Sequence, residues 1–159
     1  MKLVAGSMAV RRALPDEHHV LRYVPLSKRV IDPHGVPGGP APSAFALRSD
    51  DEGGLSVTEV EFYGPCDLAS RIQAAIAHRD SLPTKKVGTQ AVYAQAQIAS
   101  IKAAAAQYEK QVRVVHDPVP GNPGHAEVRH FTDDDLDLLA YFATDVFVDY
   151  ETVASMKLA

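Results

Sequence analysis

Two clusters of proline and glycine divide this chain and limit what it can build. In Pro33–Pro42 (PHGVPGGPAP) seven of ten residues are Pro or Gly, and in Pro118–Gly124 (PVPGNPG) five of seven. Proline lacks an amide hydrogen and fixes φ, so neither stretch suits a helix or a central strand. The first is expected as an exposed loop between two strands, the second as a stiff loop at a strand end.

Around these breaks the pattern alternates between strand and helix periods. His19–Val24 (HVLRYV) places Val20, Arg22 and Val24 on one face and His19, Leu21 and Tyr23 on the other, the period of a strand. Lys28–Ile31 extends or follows it. Ala44–Arg48 (AFALR) and Leu55–Tyr63 (LSVTEVEFY) flank the acidic turn Asp50–Gly54 and predict a hairpin. The second strand contains a slip, because Leu55 and Val57 share one face and Val60 and Phe62 the other. A bulge near Thr58–Glu59 brings all four inward; without it Glu59 and Glu61 share the face of Leu55 and Val57 and need partners.

Helical spacing appears three times. Pro65 and Asp67 suit a helix start, and Leu68, Ile72 and Ile76 form one stripe up to about Asp80. Val87–Tyr93 reads as a strand and Ala94–Lys110 as a helix with Ile98, Ile101, Ala105 and Tyr108 along its packing face. Gln111–Val115 is a strand leading to His116, and His125–Phe131 one returning beside it. Finally, Thr132 is an expected N-cap, followed by three aspartates, for a long helix reaching towards Ser155. Its apolar residues, Leu136, Leu138, Leu139, Phe142, Val146, Phe147 and Tyr150 among them, cover most of its circumference. Such a helix is deeply buried or shared with a partner.

A chain of 159 residues with 46% hydrophobic and 23% charged residues suits one globular domain. The expected class is α+β: a small, mostly antiparallel sheet with two or three packed helices. The division expected is an N-terminal extension over 1–17, with 1–7 appended before a start at Met8, one domain over 18–151 and a tail over 152–159. No apolar run is long enough to span a membrane. The net charge of −4 argues against a dedicated nucleic-acid binder. Arg11, Arg12, Arg22, Lys28 and Arg29 form a modest basic cluster; of its two readings, contact with a phosphate-bearing partner and charge balance for the acidic last helix, the second is preferred. The single cysteine, Cys66, excludes an internal disulfide and is read as packing; with no export signal the expected location is the cytoplasm.

The polar residues concentrate in the second Pro/Gly segment, where His116, Asp117, Asn122, His125, Glu127 and His130 lie close together in sequence. Three readings of the loop stay open. His116 and His125 form a general acid–base pair, with Asp117 and Asn122 in support. Alternatively, His116, His125 and Glu127 or Asp117 bind a divalent metal, although no resident metal or other cofactor is expected. Or the imidazoles simply bond loop carbonyls that proline leaves without donors. His18 and His19 begin the first strand, and at most one of them reaches this loop. His34 and His78 are read as solvated.

The segments HVLRYVP, FALR, LSVTEVEFYG and VVHDPVPGNPGHAEV together resemble a group of small hypothetical bacterial proteins. The resemblance covers roughly His18 to Tyr150, and the His116–His125 loop is its most specific part. It implies no activity, cofactor or catalytic residue. Two functions are therefore weighed. One is a non-enzymatic interaction or accessory protein that docks on a protein partner or a second copy through Leu139, Phe142, Val146 and Phe147 of the last helix. The other is a small histidine-dependent hydrolase or nuclease using His116 and His125.

Overall fold

A computed structural model of the chain describes residues 12–47, 54–64, 67–81, 88–119, 122–132 and 134–153. Cys66, Arg11 and most of the acidic turn at 50–53 lie outside these residues. The fold is α+β, as the sequence predicts. Its strands are β1 (Arg12–Ala13), β2 (His19–Val24), β3 (Arg29–Ile31), β4 (Pro37–Pro40), β5 (Gly54–Glu59), β6 (Val92–Gln97), β7 (Arg113–His116), β8 (His125–Arg129) and β9 (Asp149–Thr152). Its α-helices are α1 (Leu68–Asp80), α2 (Ile98–Gln107) and α3 (Leu136–Tyr141). Seven strands form one sheet in the order β1-β7-β8-β5-β2-β6-β9, and β3 and β4 form a separate two-stranded ribbon. All of these pairings are antiparallel.

The two faces of the large sheet bury different residues, as strand alternation requires. On one face Val20, Val24, Leu55, Val57, Ala94, Val114 and Val128 meet Ile98 and Ile101 of α2 and Leu138 and Leu139 of α3. On the other, Leu21 and Tyr93 meet Ile72, Ala75 and Ile76 of α1. Three layers result, with the sheet in the middle. Asp67, expected at the helix start, is the N-cap of α1 and accepts from the Ser70 amide at 2.8 Å.

Several expectations change at the element boundaries. No bulge interrupts β5, whose register with β8 is continuous from Gly54 to Thr58. The strand instead ends at Glu59 and turns into a 3-10 helix, Val60–Tyr63, closed by Gly64 at a φ of 91°. The turn buries Val60 and leaves Phe62 exposed, so the slip is resolved without moving Glu59 off the face of Leu55 and Val57. Pro42–Phe45 is also a 3-10 helix, and no strand forms at Ala44. The first Pro/Gly cluster carries β4 itself, tolerated because that ribbon has no strand beyond it. The stretch left to an N-terminal extension supplies β1 and the buried Leu14, and Val153 of the expected tail is fully buried.

The last helix differs most. It begins at Leu136 rather than after Thr132, and Asp135 accepts from the Thr132 amide at 2.8 Å. After Tyr141 it widens into a π turn, Phe142–Val146, and the chain then forms edge strand β9. In the π turn the Phe147 amide donates to the Phe142 carbonyl at 2.8 Å. The wider turn brings Phe147 round onto the face of Phe142. The two rings stand 6.0 Å apart, and Phe142 also meets Phe45 at 5.9 Å and Phe131 at 5.7 Å.

The residues expected to dock a partner are therefore core. Leu139, Phe142, Val146 and Phe147 are 4%, 0%, 8% and 0% exposed within the chain itself. Their apolar stripe is satisfied by the sheet and α2, which is the buried outcome of an all-round apolar helix. Phe142→Ala is expected to lower stability by about 3–5 kcal/mol in urea titrations. Phe142→Asp is expected to abolish folding by circular dichroism, whereas a surface Phe142 predicts a folded variant.

Candidate functional site

Strands β7 and β8 are neighbours, so the second Pro/Gly loop is the turn of a hairpin. Val119 and Asn122 pinch it, each amide donating to the other's carbonyl at 3.2 and 2.9 Å. The register decides where the two histidines go. His116 sits opposite Ala126, and residues opposite one another share a face. His125, one position away, therefore faces the other side of the sheet. His116 Nδ1 accepts from Arg12 at 3.0 Å, and Nε2 meets the Pro123 carbonyl at 3.0 Å. The pair expected to straddle one reacting group is not assembled.

His125 has a different surrounding. Its Nδ1 lies 2.8 Å from the Asp117 carbonyl oxygen and 3.9 Å from the Asp117 carboxylate. A carbonyl only accepts, so Nδ1 carries the proton and Nε2 of the neutral ring is left as an acceptor. Ser56 Oγ stands 3.3 Å from that Nε2. The two side chains meet because β5 pairs with β8 and Thr58 lies opposite His125. Ser56, two residues along, projects from the same face.

This face opens into a cavity of about 440 Å³ between the sheet, α1 and the hairpin loop. Leu21, Tyr23 and Tyr93 line it from the sheet, Ala75, His78 and Arg79 from α1, and Asn122 and His125 from the hairpin. Lys28, Tyr63, Ser56 and Thr58 complete much of the wall, and no carboxylate lines it among the described residues. Arg79 stacks on Tyr23, with its guanidinium carbon 4.1 Å from the ring centroid. Its Nε is buried and, among the described residues, meets no acceptor. Burial pushes the Tyr63 hydroxyl above the usual tyrosine pKa. His78, expected to be solvated, is thus part of the wall.

The expected metal set is only partly assembled. Asp117, His125 and Glu127 bring one ligand atom each within 4.8 Å of one another, without His116. Glu127 is occupied by Arg129 at 2.6 Å, and His125 Nδ1 by the Asp117 carbonyl. A cation there would share Glu127 with Arg129, and only Nε2 of His125 stays open to it. The reading in which the imidazoles bond loop carbonyls describes one nitrogen of each ring.

Glu59 and Glu61 find their partners away from this cavity. His18 Nδ1 lies 2.7 Å from Glu59, and His19 Nδ1 lies 2.7 Å from Glu61. The His19 amide also donates to Glu61 at 2.8 Å. Nδ1 of each histidine is thus committed to a glutamate at the end of β5 rather than to the hairpin loop. Arg22 and Arg29 of the basic cluster donate to backbone carbonyls of Ala44, Ser56, Gly38 and Gln90. These bonds brace the backbone of neighbouring segments.

Sequence reasoning finds His125, Asp117 and Asn122 but misses Ser56, Tyr23, Lys28 and Arg79. Alternation puts Ser56 and Thr58 on one face of LSVTEVEFY, yet only strand pairing sets them beside His125. Comparison with family models, curated proteins and solved structures returns no match for the chain. Among the described residues no helix is long and apolar enough to cross a membrane.

Glu61 yields a pH prediction. Burial raises its pKa, but hydrogen bonds from the His19 side chain and amide outweigh burial and hold it below the usual glutamate value. A carboxylate with a lowered folded pKa stabilises the fold above its unfolded pKa, and that stabilisation is lost as pH falls through the folded value. Denaturant titrations are expected to show the wild type losing its advantage over Glu61→Gln across that acid window. A difference that stays constant with pH excludes this role.

Proposed function

We propose that the protein is a small histidine-dependent hydrolase that cleaves an ester of a compact anionic acid. The observation that carries this reading is the chain Ser56–His125–Asp117, whose serine and histidine lie on the wall of a cavity lined by cations and tyrosines. It is the geometry of a nucleophile, a base and a group that orients the base. His116 has no part in it.

In the reaction, Ser56 Oγ adds to the electrophilic centre of the ester while His125 Nε2 takes the hydroxyl proton. The bond to the leaving alcohol breaks, and the imidazolium returns the proton to that alcohol. Water then attacks the acyl or phosphoryl group on Ser56, His125 again taking a proton and passing it to the departing serine oxygen. The Asp117 carbonyl fixes the ring and its tautomer throughout, and the nearby carboxylate favours the imidazolium. Arg79 supplies the anion contact. Its guanidinium, stacked on Tyr23 at the wall, offers the charge that a substrate carboxylate or phosphate pairs with. Lys28 adds charge of the same sign at the wall. A cavity of about 440 Å³ admits a small molecule and falls in the range usual for ligand pockets.

A panel of mono-p-nitrophenyl succinate, p-nitrophenyl phosphate and bis-p-nitrophenyl phosphate tests the reading. The wild type is expected to hydrolyse at least one of them. Ser56→Ala and His125→Ala should lower kcat by about 10²–10⁴-fold. Arg79→Ala should mainly raise KM, and His116→Ala should leave the rate unchanged. Hydrolysis untouched by His125→Ala, or none on any substrate, overturns the proposal.

A further inference from the structure

Outside the cavity, a second group of side chains converges where β2 begins and β5 ends. His18 precedes β2, and its carbonyl accepts from the Ile98 amide of α2 at 2.9 Å. Glu59 is the last residue of β5, opposite Val20, and its amide donates to the Gly124 carbonyl at 2.9 Å. Glu61 follows in the 3-10 turn. Backbone pairing thus fixes the positions of His18 and Glu59. His18 Nδ1 and one oxygen from each of Glu59 and Glu61 lie within 4.8 Å of one another.

Two carboxylates held this close repel each other, and Glu59 is only 6% exposed. Among the described residues their ion partners are His18 and His19, with no lysine or arginine. Histidine neutralises a carboxylate only when protonated. The neighbouring Asp117–His125–Glu127 group differs, because Arg129 already satisfies Glu127.

We infer that His18, Glu59 and Glu61 form a binding site for a divalent first-row metal ion of the zinc or manganese class. One imidazole and two carboxylates are a mixed nitrogen–oxygen donor set, which suits these ions. His19 is a bracing residue: its ring and amide hold both oxygens of Glu61. Ligands on a zinc ion at about 2.0–2.1 Å stand roughly 3.3 Å apart in a tetrahedron. His18 Nδ1 and Glu59 Oε2, now 2.7 Å apart, need to separate by only about half an ångström. The proton between them leaves to solvent as the metal enters. The side chains of His18 and Glu61 are 30% and 23% exposed, which gives the ion a path in and leaves a coordination position for water. None of the four residues lines the cavity of Ser56 and His125, so the site stands apart from the proposed hydrolysis.

The test is calorimetric titration of chelator-treated full-length protein with zinc chloride and, separately, manganese chloride. One ion per chain is expected for at least one metal. At a hundredfold excess over Kd, Tm should rise by about 5–10 °C. Glu59→Gln, Glu61→Gln and His18→Ala should each weaken binding by at least 100-fold, and circular dichroism checks that each remains folded. Glu61 and His18 are part-exposed, so their variants decide the matter if Glu59→Gln does not fold. His125→Ala and Glu127→Gln should bind as the wild type does. Absence of stoichiometric binding of either ion overturns the inference. So does binding that survives in the folded variants, or that is lost in His125→Ala or Glu127→Gln. Loss of hydrolysis in His125→Ala with metal binding intact separates this site from the proposed active site.

Discussion

The two-residue period of strand β5 is the constraint on which the rest depends. This strand lies at the centre of the seven-stranded sheet, so both of its faces are covered. Leu55, Val57 and Glu59 point to the side of α2 and α3, while Ser56 and Thr58 point to the side of α1. A single alternation thus supplies core, a buried carboxylate and the candidate nucleophile. A shift of register by one residue would exchange all of them, placing leucine and valine in the cavity and serine in the core. The apolar face makes that exchange costly, and so it also holds Ser56 beside His125.

The two sides of the sheet solve different problems. On one, α2, α3 and the aromatic group around Phe142 pack on the sheet. The π turn belongs to this solution, since it brings Phe142 and Phe147 into contact in a segment too short for two full α-helical turns. On the other side, among the described residues, α1 is the one α-helix on the sheet, with Val60 of the 3-10 turn and Val153 beside it. Its apolar stripe seals the half near Ile72 and Ile76, and its last turn presents His78 and Arg79 to the remaining gap. The cavity lies on this face, between α1, the sheet and the hairpin loop. Charged and aromatic side chains on its rim suit a polar, anionic occupant rather than an apolar one.

The two histidine groups show how pairing sorts identical chemistry. His116 and His125 are close in sequence and connected by a short hairpin, yet an odd register offset sends them to opposite faces. His18 and His19 are adjacent and differ in face as strand residues, yet both find glutamates. Those glutamates straddle the point where β5 becomes a 3-10 turn, which rotates Glu61 relative to Glu59. Local irregularity in one strand thus compensates alternation in its neighbour.

The sequence by itself determined the α+β class, the strand at His19–Val24, the helix capped by Asp67 and the strand pair flanking the Pro/Gly loop. These follow from local periodicity and from residues that start or stop elements by their own covalent geometry. It also marked His125, Asp117, Glu59 and Glu61 as groups in need of partners. Only the tertiary structure decided which partners they have. Ser56 meets His125, and His18 meets Glu59, across 69 and 41 positions of sequence. Such contacts depend on strand order and register, which no local window contains. The fate of the last helix was decided in the same way: its apolar circumference reads alike for a docking surface and a core. Only the packing of Phe45, Phe131 and the sheet around Phe142 makes it core.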